Sequence, residues 1–278
     1  MGGTARGKRR QLGRRLKVLR NQMGLTTDEV AIRMEMSSSA LNRVELGGPI
    51  NIHALRSLLD LFGVTYDRWP EFENMLRAGA ERGWWHAFGL KDKGYVPLEA
   101  DATLVREYNP IALPGLLQTS DYAKALFTGS GELRSDERLR NDIAVRMIRQ
   151  KRLTSTDDPI ELISVIPESL LHQRIGSLKL MDKQLAHLIK LAALDTVTLQ
   201  VIPSEVGAHP AMSGMFILLS FDDLGEPDVV YVEHAVGAVN SDKEALVEGA
   251  TLKFEQLRAV ALSPEDSIAL IRKIAEQP

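Results

Sequence analysis

Ser37, Ser38, Ser39, Asn42 and Arg43 stand close together in the run SSSALNRVE. On a short helix, Ser38, Ser39 and Asn42 face outward, and their hydroxyls and carboxamide can pair with the donor and acceptor edges of nucleobases. Arg43 fits three roles: a clamp on phosphate, a reader of a base, or an ion-pair partner of Glu45. Glu45 itself reads as structural, because phosphates repel a neighbouring carboxylate. Thr26 and Thr27 offer hydroxyls at the start of a preceding helix, and Arg14 and Arg15 supply charge for phosphate.

Two short helices must position these groups. Leu25, Val30, Ala31, Met34, Met36, Leu41 and Val44 fall where two helices crossing at a steep angle touch each other. Thr26 or Thr27 caps the first, with Asp28 and Glu29 in its favourable first turn, and Ser37 caps the second. A helix over about 8–23 precedes them, with Leu12, Leu16 and Leu19 on its core side and Gly24 as its stop. After the sharp Gly47-Gly48-Pro49 loop, Asn51 caps a fourth helix whose Leu55, Leu58, Leu59 and Phe62 recur at helical spacing before Gly63.

The charge is split along the chain. No acidic residue occurs before Asp28, whereas eight Lys and Arg do. Residues 1–69 hold twelve Lys/Arg against six Asp/Glu and carry +6; the whole chain's −3 leaves −9 for the rest. A basic head on an acidic body suits a protein that docks one end on phosphate. The expected organisation is a flexible basic tail over 1–9, a helix-turn-helix domain over 10–69, and an α+β domain over 70–278. In that second domain, helical patterns cover 71–82, 98–108, 120–128, 135–152 and 178–194. Branched residues predict strands at 160–166, 197–202, 214–221 and 229–233, the last two separated by the turn-prone DDLGEPD. Ser241 to Glu244 reads as a capping box opening a helix to about 262, and Ser263-Pro264 opens another. The fold class is therefore an all-α helix-turn-helix domain followed by an α+β domain, a small and mostly antiparallel sheet wrapped by helices.

Other chemistries find little support. The absence of cysteine excludes disulfides, thiolate zinc sites and cysteine nucleophiles. The six histidines never take a metal-ligand spacing, and there is no GxSxG elbow, P-loop or GxGxxG. No catalysis, cofactor or metal is expected. The longest apolar runs, such as 215–219, are too short to span a bilayer, so a cytoplasmic protein without membrane contact is expected.

LRNQMGLTTDEVAIRMEMSSSALNRVELGG, residues 19–48, resembles the phage-repressor or Xre-type helix-turn-helix. The resemblance implies that 37–45 enter the major groove as the recognition helix, with Thr27 contacting a phosphate. Two positions depart from the common pattern: Thr27 replaces a frequent Gln, and Glu35 occupies a turn position usually held by Gly, so that either a non-glycine residue sits at positive φ or the turn differs slightly. YNPIALPGLLQTSDYAKAL (108–126), IPSEVGAHPAMSGMFILLSF (202–221), VVYVEH (229–234) and ALSPEDSIALIRKI (261–274) are similar to the C-terminal domain of actinobacterial WhiJ-like, antitoxin-like regulators. This implies a developmental or antibiotic-linked transcription factor, often encoded beside a small partner protein.

Ligand candidates in the larger domain are Trp84, Trp85, Tyr108, Gln118, Tyr122, Tyr231 and Glu233. Trp84-Trp85-His86-Ala87-Phe88 either lines a pocket or packs at the domain junction. Pro114 to Thr119 forms a pocket turn or only a loop leading into a helix, with Thr119 as cap and Tyr122 buried. Tyr231 and Glu233 share one strand face, for a polar ligand, solvent or a subunit. The expectation is a homodimer on an inverted-repeat operator in double-stranded DNA, with a C-terminal domain that senses a small molecule or a small partner protein. The alternative is an antitoxin-like interaction module whose main role is binding that partner, with DNA binding serving autoregulation.

Overall fold

A computed structural model describes residues 5–80, 83–91, 94–221 and 227–276. Among them the chain divides into two compact units, the first ending at Asp101 and the second beginning at Ala102.

The first unit is helical: α1 (Ala5–Gln22), α2 (Thr27–Arg33), α3 (Ser38–Glu45), α4 (Ile52–Leu61), α5 (Trp69–Ala80) and α6 (Tyr95–Asp101). Leu12 and Leu16 of α1, Val30 of α2, Leu41 and Val44 of α3, and Leu55, Leu58 and Leu59 of α4 meet in one core. Phe72 and Met75 of α5 enter the same core. The first compact unit therefore runs past the expected residue 69 to Asp101, because α5 and then α6 both pack on α1. The expected helix over 71–82 is α5; residues 81–82 lie outside the described residues. The expected flexible tail is helical from Ala5, and residues 1–4 lie outside the described residues. The start of α1 is anchored by Arg10, whose guanidinium lies 3.4 Å from the buried Asp101 carboxylate.

The second unit holds six strands: β1 (Leu104–Tyr108), β2 (Glu161–Pro167), β3 (Val197–Ile202), β4 (Phe216–Ser220), β5 (Val229–His234) and β6 (Gly237–Ser241), in the order β3-β2-β1-β4-β5-β6. β1, β2 and β3 pair in parallel; β1–β4, β4–β5 and β5–β6 are antiparallel. The helices are α7 (Ser120–Gly129), α8 (Asp136–Gln150), the short α9 (Ser169–His172), α10 (Leu178–Leu191), α11 (Glu244–Val260) and α12 (Pro264–Ala275). The α+β class holds, with two local corrections. Residues 98–108 read as one helix but divide into α6 and β1, since LVREY fills the slot between β2 and β4. The Ser241 capping box does not form: Ser241 ends β6, and Lys243 opens α11 without a side-chain cap. The turn expected between the last two predicted strands falls partly on 222–226, outside the described residues.

Side chains alternate across the sheet, which fixes what each face can assemble. Tyr108, Val165, Phe216 and Leu218 pack with Phe254 and Leu257 of α11. The intervening row runs Leu199, Ser164, Glu107, Ile217, Tyr231 on the other face.

Candidate nucleic-acid interface

The start of α2 is set by Thr26, whose hydroxyl accepts from the Glu29 N–H while the Glu29 carboxylate accepts from the Thr26 N–H at 2.7 Å. Both partners of this capping box are thereby occupied, and the bonds to Thr26 hold the Glu29 carboxyl below its ordinary pKa. Thr27 is the first residue of α2, half-buried. Of the two outcomes open to Glu35, the turn before α3 gives it positive φ, 51°.

Ser37 caps α3 by accepting from the Ala40 N–H at 3.2 Å. Ser38 donates its hydroxyl proton to Asp28 of α2, so it ties the two helices together and has less to offer a base. Ser39, Asn42 and Arg43 are exposed on α3, and none has a side-chain hydrogen bond or ion pair among the described residues. Alongside Arg43 runs a groove of about 610 Å³, walled by Met36, Ala40, Leu46, Pro49, Ile50 and Asn51.

Beneath this surface Arg20 and Glu45 form a buried ion pair. Arg20 Nε and Nη2 donate to the two Glu45 oxygens at 2.6 and 3.0 Å, and Nη1 donates to the Leu25 carbonyl at 2.8 Å. Arg43 therefore does not pair with Glu45, and Arg20 belongs to the scaffold instead of the phosphate-facing charge. Sequence reasoning misses this pair, although its signal is present. Arg20 follows Leu12 and Leu16 at four-residue spacing, and Glu45 follows Leu41 at the same step, so each continues a core stripe. The hydrogen bond from Arg20 to Glu45 raises the Arg20 pKa further above its already high value, so the guanidinium stays charged.

α1 approaches the end of α3 through Gly13, where an added Cβ would lie 2.4 Å from the Val44 carbonyl oxygen. Arg15 is ion-paired with Glu71 of α5, which partly neutralises it; Arg14 is half-buried and Lys17 exposed on the same helix.

The ligand candidates do not form one site. Trp84 and Trp85 belong to the first unit, Trp85 fully buried and edge-on to Trp84 at 5.9 Å. Tyr108 lies on the α11 face of the sheet with its hydroxyl 3.3 Å from His209 Nε2, and Tyr231 on the opposite face. Glu233 is exposed near the end of β5. Gln118 and Tyr122 do come together, but to hold the 113–119 segment. Gln118 donates to the Leu113 carbonyl at 2.6 Å, and the Leu113 N–H donates to the Tyr122 hydroxyl at 3.4 Å. Gln150 of α8 and Gln184 of α10, neither of them singled out in the sequence, brace the same loop through the carbonyls of Gly115, Leu117 and Gln118. Burial raises the pKa of Tyr108, Tyr122 and Tyr231 alike, as it does for any phenol withdrawn from water.

A capped helix pair with an exposed polar second helix is the geometry of a helix-turn-helix, and residues 11–72 match the model of a helix-turn-helix domain. The chain is thus of the DNA-binding regulator class. Residues 93–273 match a domain of unknown function, DUF5753, which covers most of the chain; the protein belongs to that family. Comparison with curated proteins and with solved structures gives no match. Among the described residues, no helix is long and apolar enough to cross a membrane.

Proposed function

We propose that this protein is a sequence-specific, dimeric transcriptional regulator of the Xre type, cytoplasmic and related to the WhiJ-like regulators. The observation that carries this reading is α3: a capped helix with Ser39, Asn42 and Arg43 exposed, held from behind by Arg20–Glu45. In the major groove, Ser39 and Asn42 face base edges, while Arg43 and Lys17 meet phosphate. A two-fold dimer sets two such helices about one helical turn of DNA apart, so an inverted repeat is its natural target. The second unit joins the two copies and receives the signal, a small molecule or a small partner protein, by biasing the spacing of the heads.

The test is selection of duplexes by the full-length protein from a randomised pool, followed by affinity against salt. Enrichment of an inverted repeat is expected. Asn42→Ala should lower discrimination at one position per half-site by roughly 1–3 kcal/mol. Lys17→Ala should weaken all duplexes alike and reduce the salt slope by about 1 for each phosphate it no longer neutralises. Enrichment of no sequence would overturn the reading. Native mass spectrometry of protein from its own host then separates a retained metabolite from a retained polypeptide.

A further inference from the structure

The two edges of the sheet are finished differently. At β3 the edge is sealed by α12 and the segment before it: the Val201 N–H donates to the Ser267 hydroxyl at 2.9 Å, and the Leu262 N–H donates to the Val201 carbonyl at 2.9 Å. At β6 it is open. β6 is the last strand in the order and among the described residues pairs only with β5, and Gly237 to Asn240 are all exposed. Its sequence, GAVNS, contains no charge and no proline, the usual devices that keep an edge strand from pairing. Exposed apolar side chains accompany it: Val236 at 91%, Val239 at 61% and Leu246, at the start of α11, at 54%.

We propose that β6 is the dimerisation edge, pairing antiparallel with β6 of a second copy about a two-fold axis at Val239. This rests on the dimeric-regulator reading, which requires a two-fold axis. The register follows from the hairpin. His234 and Gly237 close a two-residue turn as a paired position, so alternation turns the N–H and C=O of Ala238 and Asn240 outward. Antiparallel self-pairing at Val239 sets Ala238 opposite Asn240 of the other copy, where these outward groups meet. Val239 faces its own counterpart in the closer, non-hydrogen-bonded position, on the α11 side of the joined sheet. Charge does not oppose this pairing: GAVNS carries none, so no like charges are set directly opposite each other within the strand. Such a contact is isologous and closes, so it gives dimers and not fibres.

The experiment uses the full chain with Val239→Lys and Val239→Glu, followed by sedimentation and by binding to the selected inverted repeat. Val239 is exposed, so both variants should keep the wild-type circular dichroism. Each alone should dimerise at least ~10-fold more weakly, because like charges are forced together at the axis. Their equimolar mixture should recover the dimer, which general damage to the fold would not allow. Two variants as dimeric as the wild type would overturn the interface and leave the regulator reading standing. A wild-type monomer that still selects an inverted repeat would overturn it too, as would variants rescued by no mixture. Failure to select any sequence is the separate result that defeats the regulator reading itself.

Discussion

Removing the Glu45 carboxylate should cost the first unit as much stability as emptying part of its core. Arg20 and Glu45 have side chains only 9% and 4% exposed, and their two hydrogen bonds at 2.6 and 3.0 Å are charge-assisted. In Glu45→Ala the guanidinium stays buried and charged, and of its three acceptor atoms the Leu25 carbonyl oxygen alone remains. Losing one partner of a buried pair costs roughly 3–5 kcal/mol, mostly the penalty of an uncompensated charge. A second variant separates that penalty from the worth of the pair. Arg20→Met with Glu45→Leu removes both charges and fills similar volume, and should come within about 2 kcal/mol of wild type. The assay is urea denaturation followed by tryptophan fluorescence. Trp69, Trp84 and Trp85 are the chain's three tryptophans and all lie in the first unit, so the signal reports that unit alone. Because the pair is buried, the loss should persist when salt is raised, unlike that of a surface pair. A cost below about 1 kcal/mol for Glu45→Ala would refute the view that this pair anchors α3.

Three further changes test local physics. Glu35→Gly relieves a side chain at φ 51°, worth about 1–2 kcal/mol, against a smaller cost from the extra freedom glycine gives the unfolded chain; the denaturation midpoint should rise. A fall would show that the Glu35 side chain contributes more than its backbone costs. Gly13→Ala should destabilise, although alanine is the better helix former by about 1 kcal/mol, because the new methyl meets the Val44 carbonyl; a raised melting temperature would contradict that close approach. His187 is partly buried, its Nε2 has no hydrogen-bond partner among the described residues, and burial followed by the nearby Lys190 charge lowers its pKa. The unfolded chain therefore binds the proton more readily. Stability from this group is full above the ordinary histidine value of about 6.5 and declines as pH falls below it. His187→Leu should flatten the pH dependence of the second unit's unfolding, followed by circular dichroism, and an unchanged slope would exclude His187 as its source.

What is legible in the sequence is what is decided locally. Ser37, Asn51, Thr119 and Ser263 each cap the helix expected of them, because a cap depends on three or four neighbouring residues. Glu35 takes positive φ for a similar reason. What the sequence does not reveal is which charged groups find partners far along the chain. Arg15 is ion-paired with Glu71, and Arg20 with Glu45. The charge excess of the head is real, yet which arginines can spend it on phosphate is a tertiary matter. Among the ligand candidates, strand alternation alone sets Tyr231 and Glu233 on one face. It does not show that Tyr108 faces the other way, because that follows from the pairing of β1 with β4.

The two strands that sequence reasoning misses differ in an instructive way. β1 reads as helix because Leu98, Ala102 and Val105 also satisfy a helical spacing, and only the neighbours β2 and β4 resolve the ambiguity. β6 carries no strand signal: GAVNS has one branched apolar residue and sits on a single hairpin partner. A strand so weakly specified by its own sequence gains order from whatever pairs with its outer side. If that partner is a second copy, the order of β6 should depend on protein concentration. Amide exchange at Ala238 and Asn240, whose N–H groups point outward, should slow on dimerisation, while exchange in β1 and β2 stays unchanged.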